Sequence, residues 1–295
     1  MNRRNFIRQG SLLASACLVD PSSLLKKKFP LGIQLYSIRA AMENDLEKAF
    51  ATVSGFGYKV VETYGFNYGN NLGYWGRQPK AAKELLDKYG LYSRSGHYDL
   101  NKFFELKASE DEWKKYVDEC IEGAHTLGQE YIVWPWLAPG DRSLESFRVL
   151  SDRLNKIGEP IRKAGLQLAY HNHDFEFIEH DGKIGYDILM ERTDPELVKW
   201  EIDLYWVTRA SRKKPGDWFR QQPGRFPLWH LKDMDKQNPD LHTTVGDGSI
   251  DFKPLLADAG LAGARWMYVE QGNNYVPDDL SCLGRSASFV KKNLL

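Results

Sequence analysis

The sequence Leu166-Gln-Leu-Ala-Tyr-His-Asn-His-Asp-Phe-Glu-Phe177 begins as an alternating strand and ends with several titratable side chains in close succession. These side chains are His171, His173, Asp174 and Glu176. A buried strand has no packing use for them, because burying a charge without a partner costs free energy. One interpretation is a polar surface loop with incidental histidines. The other is a strand end that contributes to a functional site.

Three later stretches favour the functional interpretation. They read Trp200-Glu-Ile-Asp203, Leu228-Trp-His230 and Met267-Tyr-Val-Glu270, and each runs from apolar residues into an acid or an imidazole. Strands that all finish on side chains able to bind a metal indicate one shared site, because the ends of parallel strands meet at one edge of a sheet.

Strand-like and helix-like patterns alternate from residue 29 to residue 295, without a low-complexity tract or an internal boundary. Parallel strands need a crossover that is usually helical, and eight such strands close into a barrel. We therefore predict a single (β/α)8 TIM barrel over residues 29–295. The predicted strands are Leu31–Ser37, Val60–Glu62, Leu91–His97, Tyr131–Trp136, Leu166–His171, Val198–Asp203, Phe226–Leu231 and Trp266–Glu270.

Residues 1–28 predict an export signal and linker before the barrel. They combine basic residues, a short apolar run and small residues, and the pair Arg3-Arg4 followed by Phe6-Ile7 resembles a twin-arginine signal. The periplasm is the expected destination, and Ala14-Ser-Ala-Cys17 resembles a lipoprotein box, so a lipid anchor at Cys17 is an alternative. The other interpretation is a disordered N-terminal arm. The apolar run is too short to span a bilayer, so no integral membrane segment is expected.

Composition narrows the class of ligand. Forty basic residues balance forty acidic ones, so no net field attracts nucleic acid. Aromatic residues make up 13% of the chain, and several of the nine tryptophans lie where strands are predicted to end. This distribution favours an aromatic-walled pocket for a polar small molecule. The three cysteines are too few and too scattered for a disulfide framework or a thiolate metal site.

The strand-end residues predict a metal site formed by Glu176, Asp203, His230 and Glu270. Three carboxylates and one imidazole suit Mn, Co or Mg better than Zn. A divalent ion at such a site can polarise a carbonyl and stabilise the enediolate that forms when the adjacent proton leaves. Glu176, Glu270 and His173 are the predicted proton carriers.

The motifs together resemble the sugar phosphate isomerase/epimerase superfamily of xylose isomerase-like barrels. The resemblance covers residues 31 to about 290, and it includes His230-Leu-Lys-Asp233 and Gly246-Asp-Gly-Ser-Ile-Asp251. It implies metal ligation by Asp203, His230 and Glu270. In the ketose epimerases the fourth ligand is a glutamate within the fifth strand, where this chain has Tyr170. Glu176 is then the available carboxylate, an arrangement that resembles the dehydratase branch.

The remaining strand-end side chains are expected to bind the substrate. For any one of them a structural role is a reasonable alternative: Gln34 could cap a loop, Glu62 could pair with a lysine, and His97 could be a satisfied core histidine. Homodimers are common in the superfamily, although this sequence has no interface signal. The predicted substrate-binding residues are Gln34, Glu62, His97, Trp134, Trp136, His171, Trp206 and Lys232.

These observations leave three hypotheses. The first is a metal-dependent isomerase or epimerase acting on a ketose or keto sugar. The second is a lyase or hydratase of the inosose-dehydratase or 3-keto-glycoside type, which uses the same metal. The third is an exported carbohydrate-binding protein without catalysis. The same barrel also serves abasic-site endonucleases, whose site has three zinc ions and many more histidines. This chain has seven histidines and no net charge, which disfavours that alternative.

Overall fold

The computed structural model describes residues 29–67, 73–101, 104 and 109–295. The predicted export segment, including Arg3-Arg4 and Cys17, lies outside the described residues, so the export signal and the lipid anchor stay predictions. Within the described ranges, no helix combines the length and the apolar character that crossing a bilayer requires.

Eight parallel strands close into a barrel in which sequence neighbours are hydrogen-bonded and β1 also pairs with β8. The predicted TIM barrel is therefore confirmed. The strands are β1 Gly32–Gln34, β2 Val60–Thr63, β3 Tyr92–His97, β4 Tyr131–Trp134, β5 Gln167–His171, β6 Val198–Asp203, β7 Leu228–Leu231 and β8 Trp266–Val269.

Helices surround this barrel in the described part of the chain, and most of them follow a strand as the sequence predicted. They are Arg39–Asn44, Leu46–Gly55, Pro79–Lys88, Glu110–Leu127, Leu144–Lys163, Gly185–Arg192, Leu204–Ala210, Pro215–Gln221, Phe252–Ala257, Ala259–Ala262 and Asp279–Asn293. Short 3-10 turns span Leu35–Ile38, Pro139–Asp141 and Phe175–Phe177. Two small antiparallel ribbons pair Glu179–His180 with Lys183–Ile184 and Asp233–Met234 with His242–Thr243.

Capping residues define both ends of the long helix Glu110–Leu127. The helix Glu110–Leu127 begins with a capping box, in which the Ser109 hydroxyl accepts from the Glu112 N–H and the Glu112 carboxylate accepts from the Ser109 N–H. It ends at Gly128, whose φ of 71° suits the left-handed C-cap conformation. Its buried residues face the barrel and form part of the main core between strands and helices.

The barrel interior is layered. Its apolar part is a cluster of Val60, Tyr131, Val133, Ala169, Leu228 and Tyr268. Side chains alternate along a strand, so the next inward position lies two residues further toward the carboxyl end. At that level β2 places Glu62, β5 places His171 and β7 places His230. An apolar layer thus supports a layer of ionisable groups at the catalytic face of this fold.

Candidate active site

Four side chains from the ends of β5 to β8 converge at the carboxyl face of the barrel. Ligand atoms of His171, Asp203, His230 and Glu270 all lie within 4.8 Å of one another. His171 Nε2 lies 3.1 Å from His230 Nδ1, and Glu270 Oε2 lies 2.7 Å from the same nitrogen. Asp203 Oδ2 lies 3.4 Å from His171 Nε2. We call this set the first ligand group.

A second ligand group lies on the other side of the same imidazole. It consists of Glu62, His97, Glu201 and His230, again with ligand atoms within 4.8 Å. His230 Nε2 is 2.6 Å from Glu62 Oε2, and His97 Nε2 is 2.7 Å from Glu201 Oε2. His230 therefore joins the two groups, with Nδ1 in the first and Nε2 in the second.

Lys232 places an ammonium group beside the first ligand group. It lies two residues after His230 and points to the same face, where Nζ is 2.6 Å from Asp203 Oδ2 and 2.8 Å from Glu270 Oε2. Burial opposes the charged form of Lys232, but the two carboxylates outweigh burial and raise its pKa. In the same way Lys232 outweighs the effect of burial on Asp203 and lowers the pKa of that carboxyl.

Buried carboxylates raise the pKa of His97 and His230, whereas burial lowers the pKa of His171 and His173. Burial alone would lower the pKa of His97, but Glu62 and Glu201 raise it to about 9. Burial would also lower the pKa of His230, and its carboxylate neighbours raise it well above the usual range. Glu62 Oε1 and Glu201 Oε1 are buried and have no hydrogen-bond partner among the described residues. The region is thus rich in buried carboxylate oxygen that a cation can neutralise.

The first ligand group fits a divalent cation. Two carboxylates and two imidazoles are buried together with their ligand atoms within 4.8 Å, and both are ligand types that divalent transition metals bind. The donor set contains one more imidazole than the sequence predicted, because His171 stands where Glu176 was expected. Imidazole ligands suit Zn, Fe and Ni as well as Mn and Co, and they suit Mg poorly. The expected preference against zinc is therefore weaker for this set.

Glu176 was predicted to bind the metal and to carry a proton, but it belongs to neither ligand group. The 3-10 turn Phe175–Phe177 directs its side chain back into the core, where it is fully buried. Its Oε1 accepts from Tyr170 Oη at 2.7 Å, and its Oε2 accepts from the His173 N–H at 2.9 Å. Burial raises the pKa of Glu176 to about 8. The geometry supports a role in fixing the chain after β5.

His173, a predicted proton carrier, and Trp206, a predicted substrate contact, both border the first ligand group. Both side chains are partly exposed. The His173 ring stacks on Phe175 at 5.6 Å and lies 4.7 Å from the His171 ring. The Trp206 ring lies 5.7 Å from the His173 ring and 5.6 Å from Lys232 Nζ. These two residues form a wall beside Lys232.

The other predicted substrate residues fall into two classes. His97 and Trp136 line a cavity at the barrel mouth. Gln34 and Trp134 are fully buried: Gln34 Nε2 donates to Glu62 Oε2 at 2.8 Å, and Trp134 Nε1 donates to the Trp136 carbonyl at 2.8 Å. Trp134 points outward from β4, because outward and inward positions alternate and Val133 faces the interior. Gln34 and Trp134 therefore support neighbouring residues.

Two residues of this region were missed in the sequence. Glu201 lies two positions before Asp203 on β6, so the alternation of inward positions could have indicated it. His242 lies on the ribbon after β7, where Nδ1 accepts from the Gly272 N–H at 2.9 Å. Its buried Nε2 has no hydrogen-bond partner in the part of the chain that the structure describes. Burial lowers the pKa of His242 to about 4. Its position follows from the ribbon, which the sequence pattern did not predict.

The chain is similar in sequence to a known protein family and to characterised enzymes. The family model described as xylose isomerase-like TIM barrel matches residues 50–286. An inosose dehydratase from Lacticaseibacillus casei is 25% identical over 261 residues, which covers 77% of this chain and 82% of that protein.

Two solved structures show the same fold. A sugar phosphate isomerase/epimerase from Parabacteroides distasonis superposes with a TM-score of 0.75 at 24% identity, covering 90% of this chain and 94% of the other. The 3-keto-D-glucoside 4-epimerase of E. coli superposes with a TM-score of 0.66 at 17% identity, covering 90% and 100%. At this identity the structures support the fold alone. The family match spans most of the chain, and the protein therefore belongs to the xylose isomerase-like TIM barrel family.

Proposed function

We propose that this protein is a divalent-metal-dependent sugar isomerase or epimerase that removes a proton next to a carbonyl. The observation that carries the proposal is the first ligand group, in which two carboxylates and two imidazoles from β5 to β8 converge within 4.8 Å. The family and the relatives named above support a sugar or a related polyol as the substrate.

His171, Asp203, His230 and Glu270 would hold the ion. A bound divalent ion supplies a Lewis acid that polarises the sugar carbonyl and stabilises the enediolate charge. Lys232 adds a fixed positive charge next to the two carboxylates of this group. Glu62 accepts from His230 Nε2 and so holds the imidazole with Nδ1 directed at the first ligand group.

His173 and Glu270 are the proposed proton carriers. His173 is partly exposed beside the first ligand group, and Phe175 and Trp206 hold its ring in place. Glu270 is the more accessible of the two carboxylates in that group, with 7% exposure against 0% for Asp203. A base on one face of the substrate carbon removes its proton, and an acid on the opposite face returns a proton. The configuration of that carbon is thereby inverted. The buried contacts of Glu176 give it a positioning role in this scheme.

A lyase is the second candidate function. The inosose dehydratase relative, which covers 77% of this chain, favours it. Both reactions begin with removal of the same proton. They diverge afterwards, because the lyase expels a β-substituent while the isomerase returns the proton. Product analysis therefore separates the two candidates, whereas exchange of the proton does not.

The test is proton exchange in deuterated buffer. Purified protein with Mn or Co is incubated with keto sugars, and NMR follows deuterium at the carbon next to the carbonyl. We expect exchange that Asp203→Asn and Glu270→Gln each reduce by about 100-fold or more. The exposed Glu191→Gln variant is the matched control and keeps wild-type exchange. Protein that retains no metal and exchanges no substrate proton would instead support the non-catalytic binding hypothesis.

A further inference from the structure

The second ligand group has the donor composition of a metal site. Its two carboxylates and two imidazoles come from β2, β3, β6 and β7, and their ligand atoms lie within 4.8 Å of one another. Carboxylates suit Mn and imidazoles suit Zn, Fe and Ni, so the mixed set can bind a divalent transition metal. The group shares only His230 with the first ligand group. An ion bound here would be additional to the one that the proposed function requires.

The four ligand atoms form a ring in which oxygen and nitrogen alternate. Glu62 Oε2 lies 3.3 Å from His97 Nε2 and 2.6 Å from His230 Nε2. Glu201 Oε2 lies 2.7 Å and 3.4 Å from the same two nitrogens. Ligands bound at about 2.1 Å from a tetrahedral ion are about 3.4 Å apart. Two of the four separations already match that spacing, and each of the other two needs to lengthen by less than about 1 Å.

Each carboxylate of the group has one oxygen that no donor satisfies. Glu62 and Glu201 are fully buried, and their Oε1 atoms have no hydrogen-bond partner within the described ranges. A network that serves stability alone is expected to pair both oxygens, because a buried acceptor without a donor costs free energy. A cation satisfies such carboxylates, since a carboxylate binds a metal through one or both of its oxygens.

The surroundings of the group provide support and access. Gln34 Nε2 donates to Glu62 Oε2 at 2.8 Å, and Gln34 Oε1 accepts from the Tyr36 N–H at 2.9 Å. These bonds fix the carboxylate in the way that hydrogen bonds to metal ligands commonly do. His97 is the partly exposed member of the group, with 12% of its side chain accessible, and it lines the cavity at the barrel mouth. An ion can therefore reach the group from the mouth.

We propose that the second ligand group is a second divalent-metal site, in which Glu62, His97, Glu201 and His230 Nε2 hold the ion. The ion takes the place of the proton that His230 Nε2 and Glu62 share, and the ring keeps its orientation. When both groups are occupied, the His230 imidazole has lost both N–H protons and binds one ion through each nitrogen. A single ring then joins the two ions.

The number of bound ions tests the proposal without a substrate. Chelator-treated protein is dialysed to equilibrium against Mn²⁺, and elemental analysis gives the ions bound per chain. We expect two ions in the wild type and one in each of Glu201→Gln and Asp203→Asn, because each variant disables one group. The exposed Glu191→Gln variant is the matched control and keeps two.

The remaining counts decide between the two groups. A single ion in the wild type that Glu201→Gln retains would overturn the proposal and leave the proposed function intact. A single ion that Glu201→Gln loses and Asp203→Asn retains would support the second ligand group and contradict the metal site of the proposed function. No ion in the wild type would overturn both.

Electron paramagnetic resonance separates this site from adventitious binding at the surface. Two Mn ions on one imidazole ring are spin-coupled, so the wild type should give a coupled spectrum. Glu201→Gln and His97→Gln should restore the hyperfine signal of an isolated Mn ion. His97→Gln is the second variant, because the partly exposed His97 tolerates replacement if Glu201→Gln does not fold. Two ions in the wild type with only the signal of isolated Mn would overturn the proposal.

Discussion

Replacing Glu176 with glutamine should change how stability depends on pH. Burial raises the pKa of Glu176 from an ordinary value of 4.5 to about 8. Between these values the folded protein holds a proton that the unfolded chain has released, so stability falls as pH rises. Each pH unit in this window costs about 1.4 kcal/mol, so the wild type loses about 4 kcal/mol between pH 5 and pH 8 through this group.

Glutamine removes that loss because its amide does not titrate. It keeps an oxygen for the His173 N–H and a polar group for Tyr170, so the packing is preserved. Thermal unfolding is measured at pH 5 and pH 8 with EDTA, which keeps metal binding out of the comparison. At about 2 °C per kcal/mol, the Tm of Glu176→Gln relative to the wild type should be about 8 °C higher at pH 8 than at pH 5. The exposed Glu191→Gln variant is the control. An equal difference between variant and wild type at both pH values would refute the reasoning.

Three further predictions concern the barrel mouth and its frame. Asp203→Asn should weaken Mn binding more than tenfold by titration calorimetry, and unchanged affinity would remove Asp203 from the ligands. Gly32→Ala should destabilise the fold by about 3 kcal/mol, because a Cβ there would lie 2.2 Å from the Met267 carbonyl oxygen. Gly55→Ala, with nothing within 4 Å, is its control in the same thermal unfolding assay. Glu201→Gln should cost about 3 kcal/mol by denaturant unfolding, since it breaks a buried ion pair, and an unchanged midpoint would contradict that.

The barrel could be predicted because its signal is local and repeated. Each strand is a short apolar run and each long helix has an amphipathic pattern with caps, so the alternation needs no knowledge of distant contacts. The first strand is shorter than predicted, because the chain enters a 3-10 turn at Leu35. The helix Leu204–Ala210 was not predicted, since it follows β6 directly without an intervening turn.

The candidate site could be predicted only in part. Asp203, His230 and Glu270 were identified because each ends an apolar strand. Glu176 was placed among the ligands because it is the available carboxylate after Tyr170, which stands where the ketose epimerases have a glutamate. The 3-10 turn Phe175–Phe177, which the sequence pattern did not predict, directs its side chain into the core. The pair His97 and Glu201 is separated by 104 positions, so only the closed barrel brings it together.

His230 belongs to both ligand groups, with one ring nitrogen facing each of them. Under the proposed function, an ion that binds Nδ1 would displace the proton that this nitrogen shares with Glu270, so uptake of the ion would release acid to the solvent. Metal loading is therefore expected to weaken as the buffer becomes more acidic.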